Sequence, residues 1–428
     1  MTATPALEVE SATLRKLFWR LLPFLFLLYI VAYLDRINVS FAALEMRHEL
    51  GLSDLAYGRG AGMFFAGYFF FQLPSNLILD RVGVRRWISA LMVIWGLVSC
   101  SMIFVRGPLS FYALRFLLGA AEAGFFPGII LYLKRWFPPH ARGRAVAWFM
   151  TANPLAGVIG SPVSGALLSL HGWALHGWQW LFIMEALPAM AFGIAVYWVL
   201  PEDPASAAWL SEGEKKYLSA ALDQERSGNR AISKGDLARA VFNPRVLVLA
   251  LVYFGLPASM YGVTLWLPIA IHSLSELSYF ATGVVSALPF IATAIAMVLV
   301  GTHSDRVKER RWHIAIPAFV GALALALAAH SHGVWVVVAG MAIGMICAES
   351  MTGPFWAMAT AQVEANAAAS IAVVNSIGNL GGYFGPFMIG LLRSASGAFP
   401  GLLPIGIVLA ASGGLSLIAT SVPEKPFR

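Results

Sequence analysis

Twelve apolar stretches, each close to 20 residues long, leave this chain few folds to choose from. They run over roughly 21–42, 56–79, 87–105, 109–133, 145–170, 179–200, 246–271, 278–302, 312–330, 334–357, 368–392 and 401–421. About 20 residues of helix cross the hydrocarbon core of a bilayer. Inside that core every backbone N–H and C=O must be satisfied within the segment, so spans of this length are helices. With 59% of residues hydrophobic and 12% charged, against roughly 25% charged in a soluble domain, the chain cannot keep its surface in water. Its 40 Gly and 23 Pro fit the same environment, because membrane helices tolerate both and use Gly for close packing. The expected fold class is an all-α membrane protein with 12 transmembrane helices in two six-helix bundles.

The formal charge of +7 is a matter of topology. Arg47, Arg59, Arg106 and Arg393 fall on one side, and Arg36 and Arg115 lie inside spans. Every other Lys and Arg, including Arg81, Arg85, Arg86, Lys134, Arg135, Arg142 and Arg144, falls on the opposite side. This is the positive-inside pattern; it places both termini in the cytoplasm and argues against a nucleic-acid role. Cys100 and Cys347 sit inside expected spans, so no disulfide framework, metal site or cofactor is expected. The first stretch runs into Asp35-Arg36 without a small-residue cleavage site and reads as a retained span. One long polar segment, 201–245, divides an N-terminal bundle (1–200) from a C-terminal bundle (246–428) as a cytoplasmic linker. Trp173, Trp178 and Trp180 near one face, and Trp87, Trp136 and Trp312 near the other, read as headgroup anchors. His171 and His176 read as solvated loop residues.

Two basic turns carry nearly the same residues 225 positions apart. Asp80-Arg81-Val-Gly-Val-Arg85-Arg86 is echoed by Asp305-Arg306-Val-Lys-Glu-Arg310-Arg311. Gly160-Ser-Pro162-Val-Ser-Gly165 is echoed by Gly385-Pro386 and Gly390 at nearly the same offset. Parallel repeats in a polytopic protein point to a carrier whose site lies between the halves. The turns stand at cytoplasmic span ends, where Asp80, Arg81, Arg85, Asp305 and Arg306 can latch one gate state and break in the other.

Several charges lie where hydrocarbon should be. A charged side chain at mid-bilayer costs about 2.5–3.5 kcal/mol even on the lenient insertion scale, so each must face protein or water. Asp35 and Arg36 sit in the first span, Arg115 and Glu122 in the fourth, Glu185 in the sixth and Glu349 in the tenth. Arg115 and Glu122 share a helix face about 10.5 Å apart, and Gly119 between them would leave that face open to a solute. Tyr29, Tyr33, Arg36 and Ser40 form a matching stripe, while Asp35 turns about 100° away beside Asn38. Two arginines and two carboxylates can neutralise one another when the site is empty, and an anion can displace a carboxylate that takes a proton. Glu185 reads as interfacial or functional, and Glu349 as a C-half counterpart of Glu122 or a packing residue. The C-half adds Asn375, Asn379 and Tyr383 on one face of the eleventh span, with Tyr253 and Tyr261 in the seventh. The second span offers Tyr68 and Gln72.

These residues resemble the major facilitator superfamily over essentially the whole chain. Finer motifs are similar to its anion:cation symporter family: Tyr33-Leu-Asp35-Arg36-Ile-Asn38, Gln72-Leu-Pro74-Ser-Asn76 leading into Arg81-x-Gly83-x-Arg85, and Arg115-Phe-Leu-Leu-Gly119-Ala-Ala-Glu122 through Pro127-Gly128. That family includes permeases for tartrate, phthalate and galactonate. The resemblance implies proton-coupled uptake of a small organic carboxylate by a monomer in a bacterial inner membrane. Asp35 and Glu122 match the family's proton-coupling acids, and Arg36 and Arg115 its anion-handling arginines. Asn375 or Asn379 matches its hydroxyl ligand; Tyr33, Tyr68, Gln72 and Tyr261 are expected to complete the site. The rival readings are an exchanger or efflux carrier of the same fold, a non-transporting sensor, and an enzyme. The sensor lacks the signalling extension it would need, and the spans offer no nucleophile–base pair for an enzyme.

Overall fold

The computed structural model describes residues 5–170, 172, 174–226, 234–363, 367–393 and 398–419, nearly all of them helical. The first half holds α1 (Pro5–Glu49), α2 (Asp54–Val82), α3 (Val84–Cys100), α4 (Pro108–Glu122), α5 (Phe125–Trp136), α6 (Pro139–Met150), α7 (Ala152–Leu168) and α8 (Gly177–Val199). Two short helices follow, α9 (Glu212–Arg226) and α10 (Lys234–Val241). The second half holds α11 (Pro244–Ser275), α12 (Tyr279–Val307), α13 (Arg311–His330), α14 (Val334–Ser350), α15 (Thr352–Gln362), α16 (Ala367–Asn379), α17 (Gly381–Leu392) and α18 (Leu402–Ala419).

Among the described residues, ten helical segments are long and apolar enough to cross a membrane. The expected spans over 145–170 and 368–392 are each built from two shorter helices, α6 with α7 and α16 with α17, meeting at Thr151 and Leu380. Proline explains three of the interruptions. It has no N–H for the carbonyl four residues back, so Pro127, Pro154 and Pro354 weaken the helix around Ala123, Met150 and Ser350. Two of these breaks follow a buried acid directly. Glu122 ends α4 five residues before Pro127, and Glu349 nearly ends α14 five residues before Pro354.

The repeat seen in the two basic turns extends into helix ends. Ser53 caps α2 by accepting from the Ala56 N–H at 3.1 Å, and Ser278, 225 residues on, caps α12 from Ala281 at 3.3 Å. Gly51 and Glu276 hold left-handed backbone at φ +59° and +52° after α1 and α11. Gly83 and Lys308 hold φ +92° and +54° after α2 and α12. The second copy tolerates a side chain where the first uses glycine, which is free of the Cβ clash there.

The halves meet along related seams: α2 packs on α17, α7 on α12, and α1 on α11. Glycines bring the backbones together. A Cβ on Gly58 would sit 3.1 Å from the Gly390 Cα, and one on Gly283 3.0 Å from the Pro162 Cα. The middle of α11 is buried nearly all round from Gly255 to Ile271. By contrast α12 turns Ile291, Ile295, Val298 and Leu299 outward, and α13 turns out Ile316, Val320, Leu323 and Leu327. These follow helical spacing on single faces, the pattern of helices that meet lipid.

Not every tryptophan is an anchor. Trp136 is fully buried and stacks on Trp209 at 5.7 Å. Trp178 is buried and donates its indole N–H to Glu49 Oε2 at 2.6 Å. Trp312 is exposed as expected, and Trp173 and His171 lie outside the described residues. His176 is more than a solvated loop residue, since its Nε2 lies 3.1 Å from Glu49. In the linker, α9 docks on the start of α1, with Glu214 2.8 Å from the Lys16 ammonium. Partial burial pushes the Glu214 carboxyl up, but donors from Lys16 and Ser211 outweigh it, so it titrates below the usual carboxylate range.

Candidate functional site

The bundle centre is built around Arg36. One of its terminal nitrogens donates to Glu122 Oε2 at 2.8 Å, the other to the Tyr261 hydroxyl at 3.1 Å. Its guanidinium lies over the rings of Phe64 (5.0 Å) and Tyr68 (5.6 Å). Arg36 and Tyr261 are 225 residues apart, so the contact joins equivalent positions of the two halves across the α1–α11 seam. Arg115, fully buried, lies against the same Phe64 ring at 5.2 Å. Its one hydrogen bond among the described residues is a long one, 3.5 Å to the Ala61 carbonyl. Nε and Nη1 of Arg115, and Oε1 of Glu122, have no hydrogen-bond partner among those residues. Two guanidinium groups thus lie on one aromatic ring, one of them paired with Glu122 and the other with spare donors, and planar, forked donors of this kind match the geometry of a carboxylate.

Arg115 and Glu122 share a face of α4, and it is the Arg36 side chain of α1 that pairs with Glu122. One expectation changes here. Gly119 does not open that face to a solute; its missing side chain is where α2 packs, the Phe64 carbonyl filling the space. Asp35 is turned away from the Arg36 cluster, as helical geometry requires. It accepts from Ser99 at 2.8 Å, Trp95 at 3.0 Å and Asn38 at 3.3 Å in the interior of the N-half. Glu185 is buried as well, accepting from Ser164 at 2.6 Å. The sequence carried a signal for the Asp35 cage, since Trp95 and Ser99 are four residues apart on one face of α3.

The other candidates divide. Tyr33 lines a narrow pocket between the halves with Asn153, Thr264, Phe290, Thr293 and Glu349. Tyr68 and Tyr261 belong to the Arg36 cluster. Gln72 accepts from Ser376 at 3.0 Å, a bond between α2 and α16. Asn375 and Asn379 flank Ser376 on α16, both half-buried, and Gly378 beside them is closed off by the Tyr253 ring. No group of three or more His, Cys, Asp or Glu placed to hold a metal ion occurs among the described residues.

At the basic turns, the ion pairs among the described residues do not join the two halves. Asp305 lies 2.6 Å from Arg310, and Arg85 lies 3.5 Å from Glu202 with its cation over Tyr197. Arg81 and Arg306 are exposed, and the Asp80 side chain lies outside the described residues. Besides Arg36–Tyr261 and Ser376–Gln72, a further set of polar contacts across the halves lies at the opposite end. Asp54 pairs with Arg47 of its own half and with Arg393 of the other, the latter at 3.6 Å. The Tyr57 hydroxyl donates to the Leu265 carbonyl at 2.6 Å. Arg47 and Arg393 both lie over the Trp266 ring, at 5.7 and 5.5 Å. Sequence reading passed over these residues because they stand at span ends, where charge and aromatics are ordinary.

Two repeated halves, closed over a buried cluster of ionised groups and sheathed in apolar side chains, define a polytopic membrane carrier. The Major Facilitator Superfamily model matches residues 25–386, and the chain belongs to that superfamily. It is 45% identical over 421 residues to a protein of Agrobacterium vitis named "Putative tartrate transporter", covering 97% of this chain and 93% of that one. It is 39% identical to a "Quinolone resistance transporter" of Acinetobacter baumannii, covering 94% of each. In fold it resembles the inward-facing, occupied crystal structure of a bacterial homologue of the human lysosomal transporter Spinster. That match has a TM-score of 0.75 at 16% identity and covers 95% of this chain and 97% of that one.

Proposed function

We propose that the protein is a symporter that carries a small organic carboxylate together with protons into the cell, across the inner membrane, by alternating access. The observation that carries this reading is the shared Arg36. It is held by Glu122 at 2.8 Å while Arg115, on the same ring, keeps unused donors. An entering carboxylate takes the forks of Arg36 and Arg115. Glu122 is then left without its counter-charge in a water-poor interior, where an ionised group is costly, and it takes up a proton. Asp35, one helix face away among Trp95, Ser99 and Asn38, serves as a second proton site. Tyr33, Tyr68, Gln72, Tyr261 and the amides of Asn375 and Asn379 contact the rest of the substrate. Residues 1–200 and 246–428 then rock as two bodies joined by the 201–245 linker. The basic turns (Asp80, Arg81, Arg85 and Asp305, Arg306) hold the cytoplasmic end in one state and release it in the other. Each net positive charge imported gains about 2.3 kcal/mol per 100 mV of membrane potential.

The relative named for tartrate supports an organic acid as cargo. The relative named for quinolone resistance favours the second reading, an efflux carrier. Purified protein in sealed vesicles separates them. With an inwardly directed proton gradient, a symporter accumulates labelled tartrate or another acid of a carboxylate panel. A proton-driven exporter working as an exchanger instead drives the same acid out of preloaded vesicles under that gradient.

A further inference from the structure

The end of the molecule opposite the basic turns holds two cations against one carboxylate. Arg47 stands in the last turn of α1, Asp54 is the first residue of α2, and Arg393 follows α17. Asp54 Oδ1 accepts from Arg47, and its Oδ2 lies 3.6 Å from Arg393 Nε. Both guanidinium groups lie over the Trp266 ring, at 5.7 and 5.5 Å. Asp54 and Arg47 are the charged groups that reach Arg393, so the three side chains are left with one positive charge in excess. The Arg393 side chain is only 8% exposed and that of Arg47 15%. Nη1 of Arg393 and Nε of Arg47 are buried and have no hydrogen-bond partner among the described residues. Nη2 of Arg393 reaches Ser273 Oγ at a long 3.4 Å. Asp54 keeps 27% exposure, so the cluster can be reached from solvent.

Buried polar groups in folded proteins are almost always satisfied, and the exceptions call for a missing partner. A guanidinium held out of water without a full counter-charge is costlier still. A second carboxylate supplies what is lacking, one negative charge and two oxygens for two planar forks. The cluster also stands in line with the inner arginines. Asp54 and Ala61 share a face of α2, about 10.5 Å apart along its axis, and the Ala61 carbonyl accepts from Arg115. Tyr57, between them, has the Arg47 cation over its ring at 5.8 Å and lies within electrostatic range of Arg115 as well. We infer that Arg47 and Arg393 form an outer docking site for organic carboxylates, and that an arriving carboxylate opens this end by displacing Asp54 from both arginines. Asp54 belongs to the first half and Arg393 to the second, so the exchange that seats the anion also cuts the ion pair between the halves. In the topology read from the basic turns this end faces outward, where cargo for uptake first arrives. The inference takes its ligand class from the carboxylate reading, and adds a site and a step that precede binding at Arg36.

Calorimetry with tartrate on the full-length Arg115→Gln protein in detergent reads the outer site with the inner one weakened. Tartrate should still bind. Adding Asp54→Asn removes the internal competitor and should tighten binding about two- to fivefold, the ratio that goes with a partly exposed ion pair. Adding Arg393→Gln instead should weaken it about tenfold, the loss of a hydrogen bond from a charged group. Arg393→Lys keeps the charge opposite Asp54 but not the fork, so it should weaken tartrate too while sparing the fold. The opposite shifts are diagnostic, because a bolt that takes no ligand would answer both changes alike. In the same Arg115→Gln chain, with Ala61→Cys as reporter and Cys100 and Cys347 replaced by Ser, tartrate should speed labelling by an impermeant thiol reagent. Equimolar chloride should not. The inference is overturned if Asp54→Asn and Arg393→Gln move tartrate affinity the same way or leave it unchanged, or if chloride matches tartrate. An affinity that Arg115→Gln leaves at the wild-type value sinks the inner assignment instead, and the outer site then stands on the two opposite shifts. If no acid of a carboxylate panel binds the wild type or the Arg115→Gln protein, both readings fall.

Discussion

Replacing Glu122 by Gln removes one charge from the Arg36 contact while keeping its shape and an acceptor oxygen. In the wild type that contact is a charge-assisted hydrogen bond of 2.8 Å between buried groups, a kind worth about 1.5–3 kcal/mol, against about 0.5–1.5 kcal/mol for a neutral one. An anion entering the empty site must displace this bond. The amide weakens the competitor by about 1–2 kcal/mol, so the variant should bind its carboxylate roughly 5- to 30-fold more tightly where Glu122 is ionised. Wild-type affinity should rise as pH falls, because protonating Glu122 frees Arg36. In the variant nothing remains to titrate at this position, and the profile should flatten at the high-affinity end. Calorimetry across pH 6 to 8.5 reads the affinity, and vesicle transport reads the coupling. Accumulation against a gradient should be lost while exchange of labelled for unlabelled substrate persists. A variant that kept the wild-type pH slope, or still accumulated substrate, would refute the competition argument.

Arg115→Lys should raise the Kd for every carboxylate at least tenfold, because a point charge cannot reproduce the two-pronged fork; calorimetry with unchanged affinity would mark Arg115 as a packing group. Gly119→Val should lower thermal stability in detergent, since its side chain would meet the Phe64 carbonyl and overpacking typically costs about 1–3 kcal/mol. The fraction that folds should keep its substrate affinity. Arg393→Gln removes a charged group of the C-half that reaches Asp54, so a cysteine placed at the buried Ala61 of α2 should become more reactive to a membrane-impermeant thiol reagent. Equal labelling in both backgrounds would show that the end is closed by glycine packing alone. The docking of α9 should weaken in acid. The Glu214 carboxyl titrates below its unfolded value, so its contribution is present above about pH 4.3 and is lost as pH falls through the folded pKa. Faster hydrogen exchange in α9 near pH 3 than at pH 6, corrected for the intrinsic rate, checks it.

Much of this arrangement follows from the sequence. Helical periodicity is local, so the stripe of Tyr29, Tyr33 and Arg36, and the turning away of Asp35, follow from residue spacing alone. The duplicated Asp-Arg turns announced the two halves, and the caps at Ser53 and Ser278 confirm how far the duplication runs. Less readable was everything that depends on how one helix is rotated against another. Glu349 could be a counterpart of Glu122 or a packing residue on sequence grounds, and its place on a pocket with Tyr33 and Thr293 depends on how α14 is turned toward α1 and α12.

The chain alone determined which residues are apolar enough to enter a bilayer, which ionised groups are carried in with them, and that the plan is used twice. Those properties reside in composition and in spacings within a few turns of helix. Tertiary structure decided the partnerships. Arg36, rather than the neighbour on its own helix, is the mate of Glu122; Gly119 is a seam and not an opening; the bolt between the halves runs through Asp54, Arg393 and Tyr57. Such choices depend on the register and rotation of helices hundreds of residues apart. These are fixed by many small packing contacts summed over whole seams, and no short stretch of sequence records that sum.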